Sequence, residues 1–173
     1  MNTTAAAVRT AEAFVISRVF DAPRDRVFKA WSEASQLDRW WGPAGMTVKT
    51  LKLEFRPGGM FHFSMVPPGG QTMYGRFVYR EIVRPERIVF VNSFADADAD
   101  GAIARAPFSA DWPLEIESRL TFEEDGDRTR LTLRSVPIDP TPEGVQAFTG
   151  MLASMTKGWS GTLDQLVTHL ARS

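Results

Sequence analysis

The sequence predicts an α+β fold: antiparallel strands followed by one long C-terminal helix, with two short helices after the first strand. Short runs rich in Val, Ile and Phe between residues 47 and 136 are separated only by turn residues, which leaves no room for crossover helices. Residues 145–170 carry apolar side chains at steps of three and four, the period of one helix face. The chain has 173 residues, 43% hydrophobic and 11% aromatic, enough to bury a sizeable core. One domain over residues 13–173 is expected, behind a flexible tail over residues 1–12.

The elements follow in order. Phe14 to Phe20 reads as a strand, stopped by Asp21-Ala22-Pro23. Asp21 is expected to cap the next helix and Pro23 to occupy its first turn, with Val27, Phe28 and Trp31 on one face. A second short helix, Ser35 to Trp41, ends at Gly42-Pro43. Strands are then expected at Thr47–Phe55, Met60–Val66, Thr72–Val83 and Arg87–Phe94, divided by Pro57-Gly58-Gly59, by Pro67-Pro68-Gly69-Gly70 and by Arg84-Pro85-Glu86. Asp96 to Trp112 shows no period and reads as a long loop, more mobile than the strands it joins and re-anchored at Trp112. Its alternating Asp residues do not fall at calcium-loop spacing. Leu114–Phe122 and Thr129–Val136 flank Asp125-Gly126-Asp127, a hairpin signal.

Thr141-Pro142-Glu143 opens the last element, with Thr141 as its cap. Val145, Phe148, Leu152, Met155, Trp159, Leu163, Leu166 and Leu170 form one stripe on a helix of roughly 30 residues, about 45 Å long. Gly150, Gly158 and Gly161 each weaken that helix by up to about 1 kcal/mol relative to Ala. They fit a helix clasped by other structure, or one passing close to a neighbouring backbone.

Composition removes several function classes. Lys+Arg 20 against Asp+Glu 21 leaves a net charge of -1 and no cationic excess for phosphate, so no nucleic-acid partner is expected. Cysteine is absent, which excludes disulfides, thiolate metal sites and thiol nucleophiles. No apolar run approaches the roughly 20 residues that span a bilayer. The N-terminus lacks the basic start and apolar stretch of a signal peptide, so a cytoplasmic location is expected.

Particular segments carry a resemblance. FDAPRDRVFKAWSEASQLDRWWGPAGMTV, RPGGMFHFSM, EIVRPERIVF, LTFEEDGDRTRLTL and GWSGTLDQLVTHL, in that order, resemble the START-like (SRPBCC) superfamily. They look most like its subgroup related to the activator of the heat-shock-protein-90 ATPase, over Phe14 to the C-terminus. The resemblance implies a helix-grip: a curved seven-stranded antiparallel sheet around the C-terminal helix, enclosing a cavity. Members of the superfamily include lipid and polyketide binders, cyclase- or hydrolase-like enzymes, proteins protecting against enediyne antibiotics, and co-chaperone domains. Fold therefore does not choose the function. The eukaryotic co-chaperone also carries a further N-terminal domain that this sequence lacks, which counts against direct ATPase activation.

Within such a cavity the candidate ligand-binding residues are Trp40, Trp41, Phe61, Phe63, Met65, Phe77, Tyr79, Asn92, Ser118, Met155 and Trp159. Adjacent Trp40 and Trp41 point in different directions at a helix end, and they either pack in the core or form an aromatic wall. Met155 and Trp159 lie on the helix stripe and serve as core or as lining. Strand alternation puts Phe61, Phe63 and Met65 opposite His62, and Phe77 and Tyr79 opposite Arg76 and Arg80. Tyr79, Asn92 and Ser118 are the inward polar groups. His62 and His169 are then expected at the surface, and Glu115, Glu117 and Arg119 on a solvated face. No catalytic residue, metal site or cofactor is assigned. The leading expectation is a cavity that binds a hydrophobic small molecule. The alternatives are a co-chaperone-like domain with a protein partner in a stress response, and a cyclase- or hydrolase-like enzyme in which Tyr79 is a weak acid. A homodimer is an open expectation, since C2 pairs are the commonest assembly.

Overall fold

The computed structural model describes residues 11–43, 45–98 and 100–172, so most of the tail expected over residues 1–12 lies outside the described residues. Strand β1 (Phe14–Phe20) leads into two short helices, α1 (Arg24–Ala30) and α2 (Ala34–Trp40). Four strands follow: β2 (Thr47–Leu53), β3 (Met60–Val66), β4 (Met73–Val83) and β5 (Arg87–Ala95). The chain closes with β6 (Ile103–Ala104), β7 (Ile116–Asp125), β8 (Arg128–Pro137), α3 (Pro142–Gly150) and α4 (Leu152–Arg172). The expected α+β architecture stands.

The sheet runs β1-β8-β7-β5-β4-β3-β2, entirely antiparallel, with β6 pairing β5 off this path. First and last strands are therefore neighbours, and α1 and α2 carry the chain from one sheet edge to the other. The buried Thr129 hydroxyl pins that departure by donating to the Ala22 carbonyl at 2.8 Å. The β7–β8 hairpin turns through Gly126 and Asp127, with Gly126 at φ 62°, where a residue without Cβ is unstrained. A bulge at Arg80 shifts the phase of β4, so that Ile82 opposite Ile88 faces the core while Glu81 turns outward to bond Arg87.

α4 lies on the concave face, held to β1 by an Arg18–Asp164 ion pair at 2.6 Å. Arg26 donates to the Leu170 carbonyl and so satisfies a carbonyl in the last turn of α4. His169 Nε2 lies 3.0 Å from Gln36 Oε1, whose amide nitrogen is committed to Glu33; the histidine is therefore the donor. Burial, then the Arg39 and Arg26 charges, lowers the His169 pKa below its usual 6.5. The unfolded chain thus binds this proton more readily, and folding stability should fall as pH drops below about 6.5. His169→Gln is expected to flatten that part of the stability-versus-pH profile. Denaturant titrations at pH 7.5 and pH 5.5 check it, and an unchanged slope would remove His169 as the cause.

Four expectations need correction. The cap of α1 is Pro23 and not Asp21: the Arg26 and Val27 amides bond the Pro23 carbonyl, and no side chain caps. The C-terminal segment is two helices, because Met151 at φ -100°, ψ 0° interrupts the run just after Gly150, a poor helix former. Thr141 does cap α3, accepting from the Gly144 amide at 3.0 Å. Of the two readings of Gly150, Gly158 and Gly161, close approach to a neighbouring backbone is the one that fails, since a Cβ at each would meet nothing within 4 Å.

His62 is the fourth. It points to the outer sheet face, as its phase requires, yet it is only 1% exposed. The loop after β5 folds back there: Asp96 N bonds Ala102 O at 2.8 Å, β6 forms, and Gly101 settles on the imidazole. The ring's Nε2 donates to the Asp96 carbonyl at 2.9 Å.

Candidate functional site

Where α4 crosses the sheet, its stripe is unevenly buried. Leu163, Leu166 and Leu170 are buried, as is Phe148 on α3, whereas Leu152, Met155 and Trp159 are only partly covered. The difference marks a cavity of about 330 Å³ between sheet and helix. Its lining includes the exposed residues Phe108 and Ser154, so the space reaches the surface as a cleft a ligand can enter and is not a sealed packing void.

The chain ending at α2 builds one wall. Trp40 is the last residue of the helix and turns into the core, donating from Nε1 to the Ala30 carbonyl at 3.0 Å. Trp41 has left the helix, at φ -65°, ψ 139°, and its ring faces the cavity. It meets Trp159 at 5.3 Å, Phe77 at 5.3 Å and Phe63 at 5.7 Å between centroids, in edge-to-face arrangements. Backbone conformation at one residue thus separates a core tryptophan from a lining one.

Of the residues expected to line the site, Trp41, Phe63, Met65, Phe77, Met155 and Trp159 do so, together with Asn92 and Ser118. Trp40, Phe61 and Tyr79 do not. Phe61 is fully buried behind Phe63, 4.7 Å away. Tyr79 sits deeper, its ring 5.0 Å from Phe55, where burial raises its pKa. An acid role for Tyr79 in this cavity has no geometric basis.

Other lining residues were not singled out from the sequence. Ser135 follows Leu131 and Leu133 in the inward phase of β8, a signal the alternation contained. Phe108 comes from the aperiodic loop, which carried no such signal, and Trp112 was expected only as the point where that loop re-anchors, not as lining. Trp112 anchors that loop against Phe148 at 5.6 Å, and Phe108 stands half exposed beside it at 5.4 Å.

Among the described residues lining the cavity, Asn92, Ser118 and Ser135 form a polar cluster on the sheet side, while Ser154 and Thr162 lie on α4. Ser118 Oγ donates to Asn92 Oδ1 at 2.8 Å and lies 2.7 Å from Ser135 Oγ. Arg76 is the one charged residue bordering the cavity, and its side chain points to the outer sheet face, where the guanidinium donates to Gly101 O and Ser93 Oγ. Outside the cavity, Glu117 on the solvated face of β7 pairs with Arg80 at 2.8 Å. No group of three or more His, Asp or Glu able to hold a metal occurs among the described residues.

The profile of the family described as Activator of Hsp90 ATPase homolog 1-like protein matches residues 21–171. The chain belongs to that family. Solved structures agree with this activator-homolog assignment in fold. A protein from Arthrobacter aurescens is 28% identical, with a TM-score of 0.77 over 94% of this chain and 88% of that one. One from Mycobacterium smegmatis is 24% identical, with a TM-score of 0.73 over 90% and 88%. An AHSA1 protein from Silicibacter pomeroyi, 22% identical, gives a TM-score of 0.70 over 92% and 98%. The two below 25% identity establish shared fold only. A search of curated proteins finds no match. The helix-grip of this activator-homolog family thus holds the cavity, and among the described residues no helix is long and apolar enough to cross a membrane.

Proposed function

We propose that this activator-homolog chain binds a hydrophobic small molecule between the sheet and α4. The observation that carries the reading is the cavity itself: about 330 Å³, walled by Trp41, Phe77, Met155 and Trp159, inside an otherwise packed core. Apolar walls with a few convergent polar groups are the usual makeup of a small-molecule site. The described lining contains no histidine or carboxylate, so a proton-transfer step there lacks the ordinary general bases. Binding fits the cavity better than turnover does.

Gly158 provides a direct test. It lies on α4, lines the cavity, and a Cβ there meets nothing within 4 Å. Gly158→Phe should fill the site without disturbing the packed side of the helix. The neutral dye N-phenyl-1-naphthylamine is expected to bind the parent at micromolar strength, with enhanced emission and altered tryptophan fluorescence. Gly158→Phe should weaken that by tenfold or more, a loss on the scale of about 1.4 kcal/mol. Gly158→Ala should retain binding and stabilise the helix by up to about 1 kcal/mol. Dye binding that is absent from the parent, or indifferent to Gly158→Phe, would defeat the proposal.

A further inference from the structure

The cavity's polar cluster has a direction, and the direction says what the ligand offers. Asn92 Oδ1 accepts only, so Ser118 commits its single hydroxyl hydrogen to it at 2.8 Å. Ser118 must then be the acceptor in its 2.7 Å contact with Ser135, whose own hydrogen points at it. The relay runs Ser135 to Ser118 to Asn92 and leaves the Asn92 amide nitrogen at its end. Two N–H donors remain there. Among the described residues that nitrogen has no partner, and it is not sealed off as the indole nitrogens of Trp31 and Trp41 are. Cross-strand pairing holds the group in place: Asn92 sits opposite Phe77, and Ser118 opposite both Phe90 and Ser135.

Resting on the binding function proposed above, we infer that the ligand is an uncharged, flat apolar molecule bearing a carbonyl oxygen, which accepts from the Asn92 amide. The aromatic side chains of the lining, Phe77 beside Asn92 and Trp159 on α4 among them, take its body. A carboxylate fits less well. No cationic side chain enters the cavity: Arg76 borders it from a strand position whose side chain points to the outer face, where it bonds Gly101 O and Ser93 Oγ, so an anion at Asn92 would lie in apolar surroundings without a counter-ion. A ligand with no acceptor would leave the two amide donors unpaired once water is expelled.

The test compares 2-acetylnaphthalene with 2-ethylnaphthalene, which match in shape and differ in the carbonyl, and with the anion 2-naphthoate, each displacing N-phenyl-1-naphthylamine. Asn92→Leu keeps the bulk and removes the donors. Asn92→Ala removes the donors without adding a charge or a new hydrogen-bonding group, so it serves if the leucine variant does not fold. In either variant the ketone should lose about tenfold or more relative to the hydrocarbon, while the hydrocarbon itself changes little. In the parent, 2-naphthoate should bind more weakly than the ketone. If both neutral probes bind and their ratio is the same in parent and variants, the carbonyl assignment is overturned and the cavity-binding function stands. Tighter binding of 2-naphthoate than of the ketone overturns it too. Failure of every probe and of the dye on the parent removes both readings together.

Discussion

Gly59→Ala is expected to destabilise the protein by about 3 kcal/mol or more, far beyond a typical loop substitution. The cause is space. A Cβ at residue 59 would stand 2.0 Å from the Glu54 carbonyl oxygen and 2.9 Å from that of Arg56. Both obstacles are backbone, so no side chain can swing aside. Relief requires moving a turn in which Gly59 N donates to Arg56 O at 2.8 Å and Gly59 O accepts from Tyr79 N at 3.0 Å. Each lost hydrogen bond costs about 0.5–1.5 kcal/mol, more where a buried group stays unpaired. The adjacent glycine supplies the contrast. Gly58 has φ 80° and open space around it, so Gly58→Ala meets only left-handed strain of about 1–2 kcal/mol. Denaturant unfolding of the two variants should rank them clearly. Equal losses, or the reverse order, would show that the turn yields more easily than its geometry implies.

Leu163→Asp is expected to abolish or nearly abolish folding. Leu163 is fully buried on the face of α4 that packs in the core, beyond the end of the cavity. Truncating such a leucine to alanine costs about 2–5 kcal/mol, and a carboxylate buried without a partner adds several more. That sum approaches the whole stability of an ordinary domain, about 5–15 kcal/mol. Leu163→Met, which conserves volume, should cost less than about 1.5 kcal/mol. Lys157→Asp on the exposed side of the same helix should stay within about 0.5 kcal/mol. Circular dichroism melts separate these outcomes. A Leu163→Asp variant as stable as the parent would mean that α4 does not bury this face.

What could be read along the chain was local. Period-two alternation assigned Phe63, Met65, Phe77, Asn92 and Ser118 to the inner face, because successive strand side chains must point oppositely. The Thr141 cap, the turn at Gly126 and the helical stripe were legible for the same reason: each depends on neighbours within a few residues. The family resemblance extended this to the curled sheet around a helix. Other features depend on what lies across space, which no local period encodes. Alternation sent His62 outward, but only the folded hairpin after β5 decided that it is buried. Trp40 and Trp41 parted because α2 ends between them. Phe108 and Trp112 reached the cavity through a loop without period, and Tyr79 lies inward but too deep to line it. A side chain's direction is set by its own backbone, whereas its surroundings are set by segments far away in sequence. The direction of the Asn92 amide, which the carbonyl inference needs, belongs to the second kind: it follows from two serines on neighbouring strands.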